Sequence, residues 1–243
     1  MKEKIRKVIL FISVCVFLYS AFQLASIFYN YYQIEKETED LTQEVVKVEE
    51  DDNDPLHRVV DFDKLKKTNS DVVGWVYIPD TKIDEPVLKG KTNNTYLRTD
   101  IYKKSNSAGS IFVDERNQKP FKDDNTILYG HNMKNGSRFH NLRYYTKDDY
   151  FKAHQTMYIY LPDGSINVYD IFASDIIDAY SDLYSVNVDY SKFIKNILGG
   201  ASVKTEVDEK DSPIVMLSTC YSTDNDDRYV IFGRLKENVK APE

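Results

Sequence analysis

The sequence predicts a mainly β domain, a barrel or sandwich with helical insertions, carried behind one membrane-spanning helix. Three observations carry that prediction. Seven short runs rich in Val, Ile, Tyr and Phe, separated by turn signals, occupy the stretch from Gly74 to Leu235. Aromatic residues make up 13% of the chain and 19 of them are Tyr, a composition suited to pleated surfaces rather than helix bundles. Residues Val8 to Tyr29 form an uncharged run without Pro or Gly, long enough to cross a bilayer core as a helix.

The elements follow in chain order. Lys2, Lys4, Arg6 and Lys7 precede the apolar run, and Glu35, Glu37, Glu39 and Asp40 follow it. The positive-inside rule then makes residues 1–7 a cytoplasmic tail and 8–29 a transmembrane anchor, with everything beyond outside the cell. Tyr29, Tyr31 and Tyr32 suit the outer headgroup region. A cleaved signal peptide has an apolar core of about 7–15 residues ending in an A-x-A-like site. This run is longer and lacks such a site, so an uncleaved anchor is the better reading. Residues 30–55 are an acidic membrane-proximal spacer, in which Ile34, Leu41, Val45 and Val48 allow part to be helical.

The globular domain is expected over residues 56–237, with 238–243 a tail. Val59, Val60, Phe62 and Leu65 predict a short amphipathic helix ending near Asn69. Strands are expected at Gly74–Ile78, Ser110–Val113, Thr126–Tyr129, Met157–Leu161, Ile166–Ala173, Pro213–Thr219 and Tyr229–Leu235. Pro162-Asp163-Gly164-Ser165 marks a hairpin. Ser137 can cap a helix over Arg138–Tyr145, and another over Tyr190–Leu198 stops at Gly199-Gly200.

Composition excludes several functions. The net charge of −7, from 39 acidic against 32 basic residues, argues against a nucleic-acid partner. Two cysteines cannot make a disulfide scaffold. Asp224-Asn225-Asp226-Asp227 lacks the glycine and distal glutamate of a calcium loop. Asn93-Asn94-Thr95 and Asn135-Gly136-Ser137 fit a glycosylation sequon that is frequent by chance. No zinc-ligand spacing, phosphate loop or G-x-S-x-G occurs, so no metal or cofactor is expected.

Chemistry can sit at three positions. Cys15 lies in the apolar run, leaving Cys220 as the one thiol of the extracytoplasmic part. Cys220 ends an apolar strand ahead of a polar loop, a place that suits a nucleophile and equally a structural cysteine. His131 follows Thr126–Gly130, again at a strand end, and imidazole can carry protons for thiol chemistry. His57, His140 and His154 lie in weaker contexts. Arg228 opens the last strand, where a guanidinium can stabilise an oxyanion or neutralise Asp224, Asp226 and Asp227.

Tyr129-Gly130-His131-Asn132, then Leu217-Ser218-Thr219-Cys220, then Arg228 eight positions on, resemble the sortases, cysteine transpeptidases of Gram-positive cell surfaces. The match extends over about residues 56–237 plus the anchor. The Ser-Thr-Cys ending, the helix at the start of the domain and the insertion around Tyr190–Leu198 look like class B. The resemblance implies a closed eight-stranded β-barrel with Cys220 as nucleophile, His131 as general acid/base and Arg228 as oxyanion or substrate-positioning group. By the same comparison Asn93, Leu97, Tyr129, Ser218 and Thr219 line the substrate groove. Two departures from the family pattern are Met216, where Thr is frequent, and Tyr221, where relatives can carry an acid. The implied partners are surface proteins with a C-terminal sorting signal, cleaved after threonine, and a peptidoglycan precursor amine. A secreted thiol hydrolase and a non-catalytic surface binding module are the rival functions.

Overall fold

The computed structural model describes residues 2–48, 54–207, 210–220 and 226–241. The chain divides into two compact units, Met1–Leu41 and Thr42–Glu243. The described residues of the first lie within α1 (Lys2–Val45), an uninterrupted helix that is long and apolar enough to cross a membrane. No break separates the expected anchor from the first part of the expected spacer.

The second unit opens with a two-stranded ribbon, β1 (Val46–Lys47) against β2 (Val59–Val60). Here Val59 and Val60 depart from the helix expected for them. Adjacent β-branched residues suit an extended chain, and Asp61 supplies a better start. Its carboxylate accepts from the Lys64 amide, capping α2 (Phe62–Thr68), which stops at Asn69 as expected.

The remaining elements are β3 (Val72–Tyr77), β4 (Asp84–Leu88), β5 (Ile111–Val113), β6 (Asn125–Tyr129), α3 (Asp148–Ala153), β7 (Thr156–Tyr160), β8 (Ser165–Asp178), α4 (Tyr190–Gly200), β9 (Val203–Lys204), β10 (Ile214–Cys220) and β11 (Asp227–Lys240). Hydrogen bonding runs β11-β10-β6-β5-β4-β3-β7-β8, and β8 then pairs with β11 to close the ring. The result is a closed eight-stranded barrel, with β9 attached outside the ring to β8. The β4–β5 and β6–β10 pairings are parallel and the others antiparallel. The expected hairpin joins β7 to β8.

One strand lies outside the expected set, and one expected helix start gives way. β4 is hidden by Pro86, which normally argues against a strand. It is tolerated because β5 pairs only with Val87 and Leu88, leaving Pro86 with β3 alone beside it. Ser137 does not cap a helix. Its hydroxyl bonds Asn135 Oδ1 at 2.8 Å, Arg138 takes a left-handed φ of 57°, and a 3-10 helix begins only at His140.

Strand alternation sorts the core into two layers. Val76, Val87, Leu128, Ile159, Leu217 and Ile231 belong to a cluster supplied by every strand of the ring, the barrel interior. Their neighbours Ile127, Phe172, Ile214, Met216 and Phe232 face outward and are covered by Phe193, Ile194 and Ile197 of α4. α4 is capped by Asp189 and runs through Gly199-Gly200 to end at Ala201. Met216, the first departure from the family pattern, is thus a packing residue.

Candidate active site

The register of β10 builds the site. On one side Cys220 is the antiparallel partner of Arg228, and on the other Ser218 is the parallel partner of Tyr129. Two residues beyond that last pairing bring His131 alongside Cys220 at the rim.

Alternation then decides which side chains meet. Ile214 and Met216 face outward, so Ser218 and Cys220 continue that face. The same parity puts Tyr129 and Arg228 there, because Ile127, Val230 and Phe232 face outward. Phe112 lies between the interior residues Ile111 and Val113 and also turns out. These residues, with Asn93, Asn94, Leu97, Gly130, His131 and Thr219, line a groove of about 230 Å³. All eight residues expected at the site therefore border one groove. Thr219 has the opposite parity. Its Oγ1 is buried and has no hydrogen-bond partner among the described residues, so it is not offered to a ligand.

Cys220 is exposed. His131 Nε2 lies 2.7 Å from the Leu97 carbonyl oxygen. A carbonyl only accepts, so Nε2 carries the proton and Nδ1 is left to exchange one. Gly130 stands between Tyr129 and His131 because a Cβ there would lie 2.8 Å from the Phe139 ring. The Leu97 carbonyl is itself held tightly. Gly109, at φ +53°, packs so close that a Cβ would fall 2.4 Å from that oxygen. Gly109 in turn accepts from Arg138 Nε at 3.1 Å and Nη2 at 2.9 Å, while Arg138 Nη1 pairs with the Glu85 carboxylate. Both side chains are buried. Burial holds the Glu85 carboxyl above its ordinary range, against the pull of the Arg138 guanidinium.

Arg228 is half-buried and donates from Nη1 to the Asp227 carbonyl at 2.9 Å. Tyr221 and Asp224 lie outside the described residues.

The groove wall is a polar-aromatic chain that sequence reasoning largely missed. Tyr129 donates to Asp114 Oδ2 at 2.8 Å, and Asp114 is bound bidentately by Arg116 at 2.8 Å per bond. Burial and the Asp114 carboxylate push the Tyr129 hydroxyl well above its usual range. Tyr129 stacks on Tyr184 with centroids 6.3 Å apart, and Tyr184 shares a 2.7 Å hydrogen bond with Ser218 Oγ. Burial raises the Tyr184 hydroxyl to about 12. Nothing in the local sequence marks Phe112, Asp114 or Tyr184. Asn93 is braced by Glu115: its amide donates to Glu115 Oε2 at 3.0 Å and its Oδ1 accepts from the Glu115 amide at 2.8 Å.

An exposed thiol, an imidazole with one free nitrogen and a guanidinium around one groove suit acyl transfer through a thioester. Comparison with known proteins agrees. The sortase-domain family model matches residues 76–236. Sortase B of Listeria monocytogenes is 36% identical over 182 residues, covering 70% of this chain and 72% of that protein. Sortase B of Staphylococcus aureus is 32% identical over 164 residues, covering 65% and 67%. The crystal structure of sortase B from B. anthracis in complex with AAEK1 superposes with a TM-score of 0.71 at 28% identity, over 88% of this chain and 99% of that one. With barrel, groove and sequence agreeing, the chain belongs to the sortase family and is a cysteine transpeptidase of class B.

Proposed function

We propose that Cys220, His131 and Arg228 carry the reaction, cleaving a C-terminal sorting signal after threonine and joining the surface protein to a peptidoglycan precursor amine. The observation that supports this most directly is the register of β10, with Arg228 paired to Cys220 on one side and the His131 turn on the other. Cys220 passes its thiol proton to His131 Nδ1, and the thiolate attacks the threonine carbonyl carbon and forms a C–S bond. The negative charge that develops on the carbonyl oxygen meets the Arg228 guanidinium. As the intermediate collapses, the C–N bond breaks and His131 Nδ1 delivers a proton to the departing amine. The incoming amine then loses its proton to the same nitrogen and attacks the thioester carbonyl, breaking the C–S bond and restoring the Cys220 thiolate beside a protonated His131. Asn93, Leu97, Tyr129 and Ser218 shape the groove that presents the peptide.

The proposed topology puts residues 1–7 in the cytoplasm, 8–29 in the membrane, 30–55 as spacer and the catalytic domain, 56–237, outside, with 238–243 a tail. Anchoring would hold the enzyme among membrane-bound substrates at raised effective concentration. Mass spectrometry of Cys220 after incubation with a library of threonine-containing peptides tests the reaction. An acyl adduct ending in threonine, transferred to an added amine, is the expected result. Release of free acid with no amide product would instead make the protein a hydrolase.

A further inference from the structure

The backbone ladder between β6 and β10 ends one rung short of the nucleophile. Its last bond runs from the Gly130 amide to the Ser218 carbonyl at 3.3 Å. The next acceptor along β10 is the Cys220 carbonyl, and there the side chain of Asn132 takes over. Asn132 Nδ2 donates to the Cys220 oxygen at 2.9 Å. The other end of the same amide is occupied as well: Asn132 Oδ1 lies 2.8 Å from His140 Nδ1, which must carry the proton. The Tyr144 hydroxyl lies 3.4 Å from His140 Nε2. Neither Asn132 nor His140 reaches a reacting atom.

We infer that Asn132 and His140 are positioning residues for the reaction, setting the separation between the Cys220 thiol and the His131 ring. Asn132 follows His131 directly in the chain, so a bond from its side chain to Cys220 ties base and nucleophile together at adjacent residues. An amide free to flip would present oxygen to oxygen half the time. The Cys220 carbonyl can only accept, which turns Nδ2 toward it and Oδ1 toward His140, and the Nδ1–H tautomer of His140 then holds Oδ1 in place. The far end of the turn is pinned independently, by an isolated bridge between Asn132 and Arg138 and by the Phe139 amide donating to the His131 carbonyl at 3.0 Å. The side-chain relay therefore adds a direct link between this turn and Cys220 that those backbone contacts do not supply. This role rests on the assignment of Cys220 as nucleophile.

The test uses the full chain in detergent and measures iodoacetamide alkylation of the Cys220 peptide by mass spectrometry as a function of pH. Asn132→Leu keeps the approximate size, removes the donor and adds no charge. We expect it to slow alkylation at neutral pH by about three- to tenfold, the weight of one neutral hydrogen bond, and to move the pH profile upward. His140→Ala should do the same. His140→Asn, whose amide nitrogen can replace Nδ1–H, should restore the wild-type curve. Melting curves identify variants that have merely lost their fold. Profiles of Asn132→Leu and His140→Ala that superimpose on the unaltered chain would overturn the inference, as would equal losses in His140→Asn and His140→Ala. Peptide turnover by Cys220→Ala serves as a separate check, since activity there would overturn the nucleophile assignment and the relay with it.

Discussion

Cys220 and Arg228 are cross-strand partners on β10 and β11, related by the same antiparallel register that closes the core beneath them. The backbone positions of the two residues are therefore fixed relative to each other by strand hydrogen bonds and not by loop geometry. Arg228→Ala should stay folded and lose about 10²–10³ in turnover, the usual cost of one oxyanion donor. Arg228→Lys keeps the charge but not the planar fork, so it should recover little. Steady-state rates with an adduct-forming peptide check both, and near-normal turnover by a folded Arg228→Ala would remove the residue from the mechanism.

Gly109 should be intolerant of a methyl group even though it touches no reacting atom. Its φ of +53° strains any L side chain, and a Cβ would meet the Leu97 carbonyl that orients His131. Gly109→Ala should lower stability by more than about 1 kcal/mol and also slow turnover. Gly164, at φ +78° with nothing near its Cβ, provides the comparison: Gly164→Ala should lower stability without affecting rate. Denaturant midpoints and rates measured together distinguish the two.

Glu85 and Arg138 form a buried pair, each at most 7% exposed on its side chain. Glu85→Ala removes the carboxylate that neutralises the buried guanidinium and should destabilise by about 3–5 kcal/mol. Replacing both, as Glu85→Leu with Arg138→Met, should regain much of that loss, because no buried charge is left uncompensated. Turnover should not return with it, since Arg138 also holds the Gly109 carbonyl. A urea double-mutant cycle with parallel kinetics tests both halves.

Asp114 should contribute to acid sensitivity. Burial pushes its carboxyl up, but the Arg116 and Tyr129 hydrogen bonds outweigh that and leave it below the ordinary range. A depressed carboxylate contributes stability that is complete above the unfolded pKa of about 3.9 and is lost as pH falls through the folded value. Asp114→Asn should therefore be less stable at neutral pH and show a flatter loss on acidification. Thermal unfolding from pH 7 down to pH 3 reads the slope, and parallel curves for the two proteins would refute the linkage.

What was legible in the sequence was whatever depends on near neighbours in the chain. The uncharged apolar run, the hairpin at Pro162–Ser165 and the strand ends carrying His131 and Cys220 are set by hydropathy, turn chemistry and period-2 alternation, all local properties. Locality also explains the errors. Pro86 hides β4 because its tolerance depends on how far β5 runs beside it, and Val59-Val60 reads as helix until a strand arrives from Val46-Lys47. The site was legible through residue types and their order, which the family resemblance supplied, but its working geometry was decided by the tertiary structure. The facing of Cys220 with Arg228, the approach of Leu97 to His131 and the Asn132 bond to Cys220 all follow from strand register and barrel closure. Register is a property of pairs far apart in the chain, and the parallel β6–β10 pairing joins segments almost ninety residues distant. No local pattern encodes which of those pairs will meet. Burying the alternate residues of eight strands in one shared interior selects them.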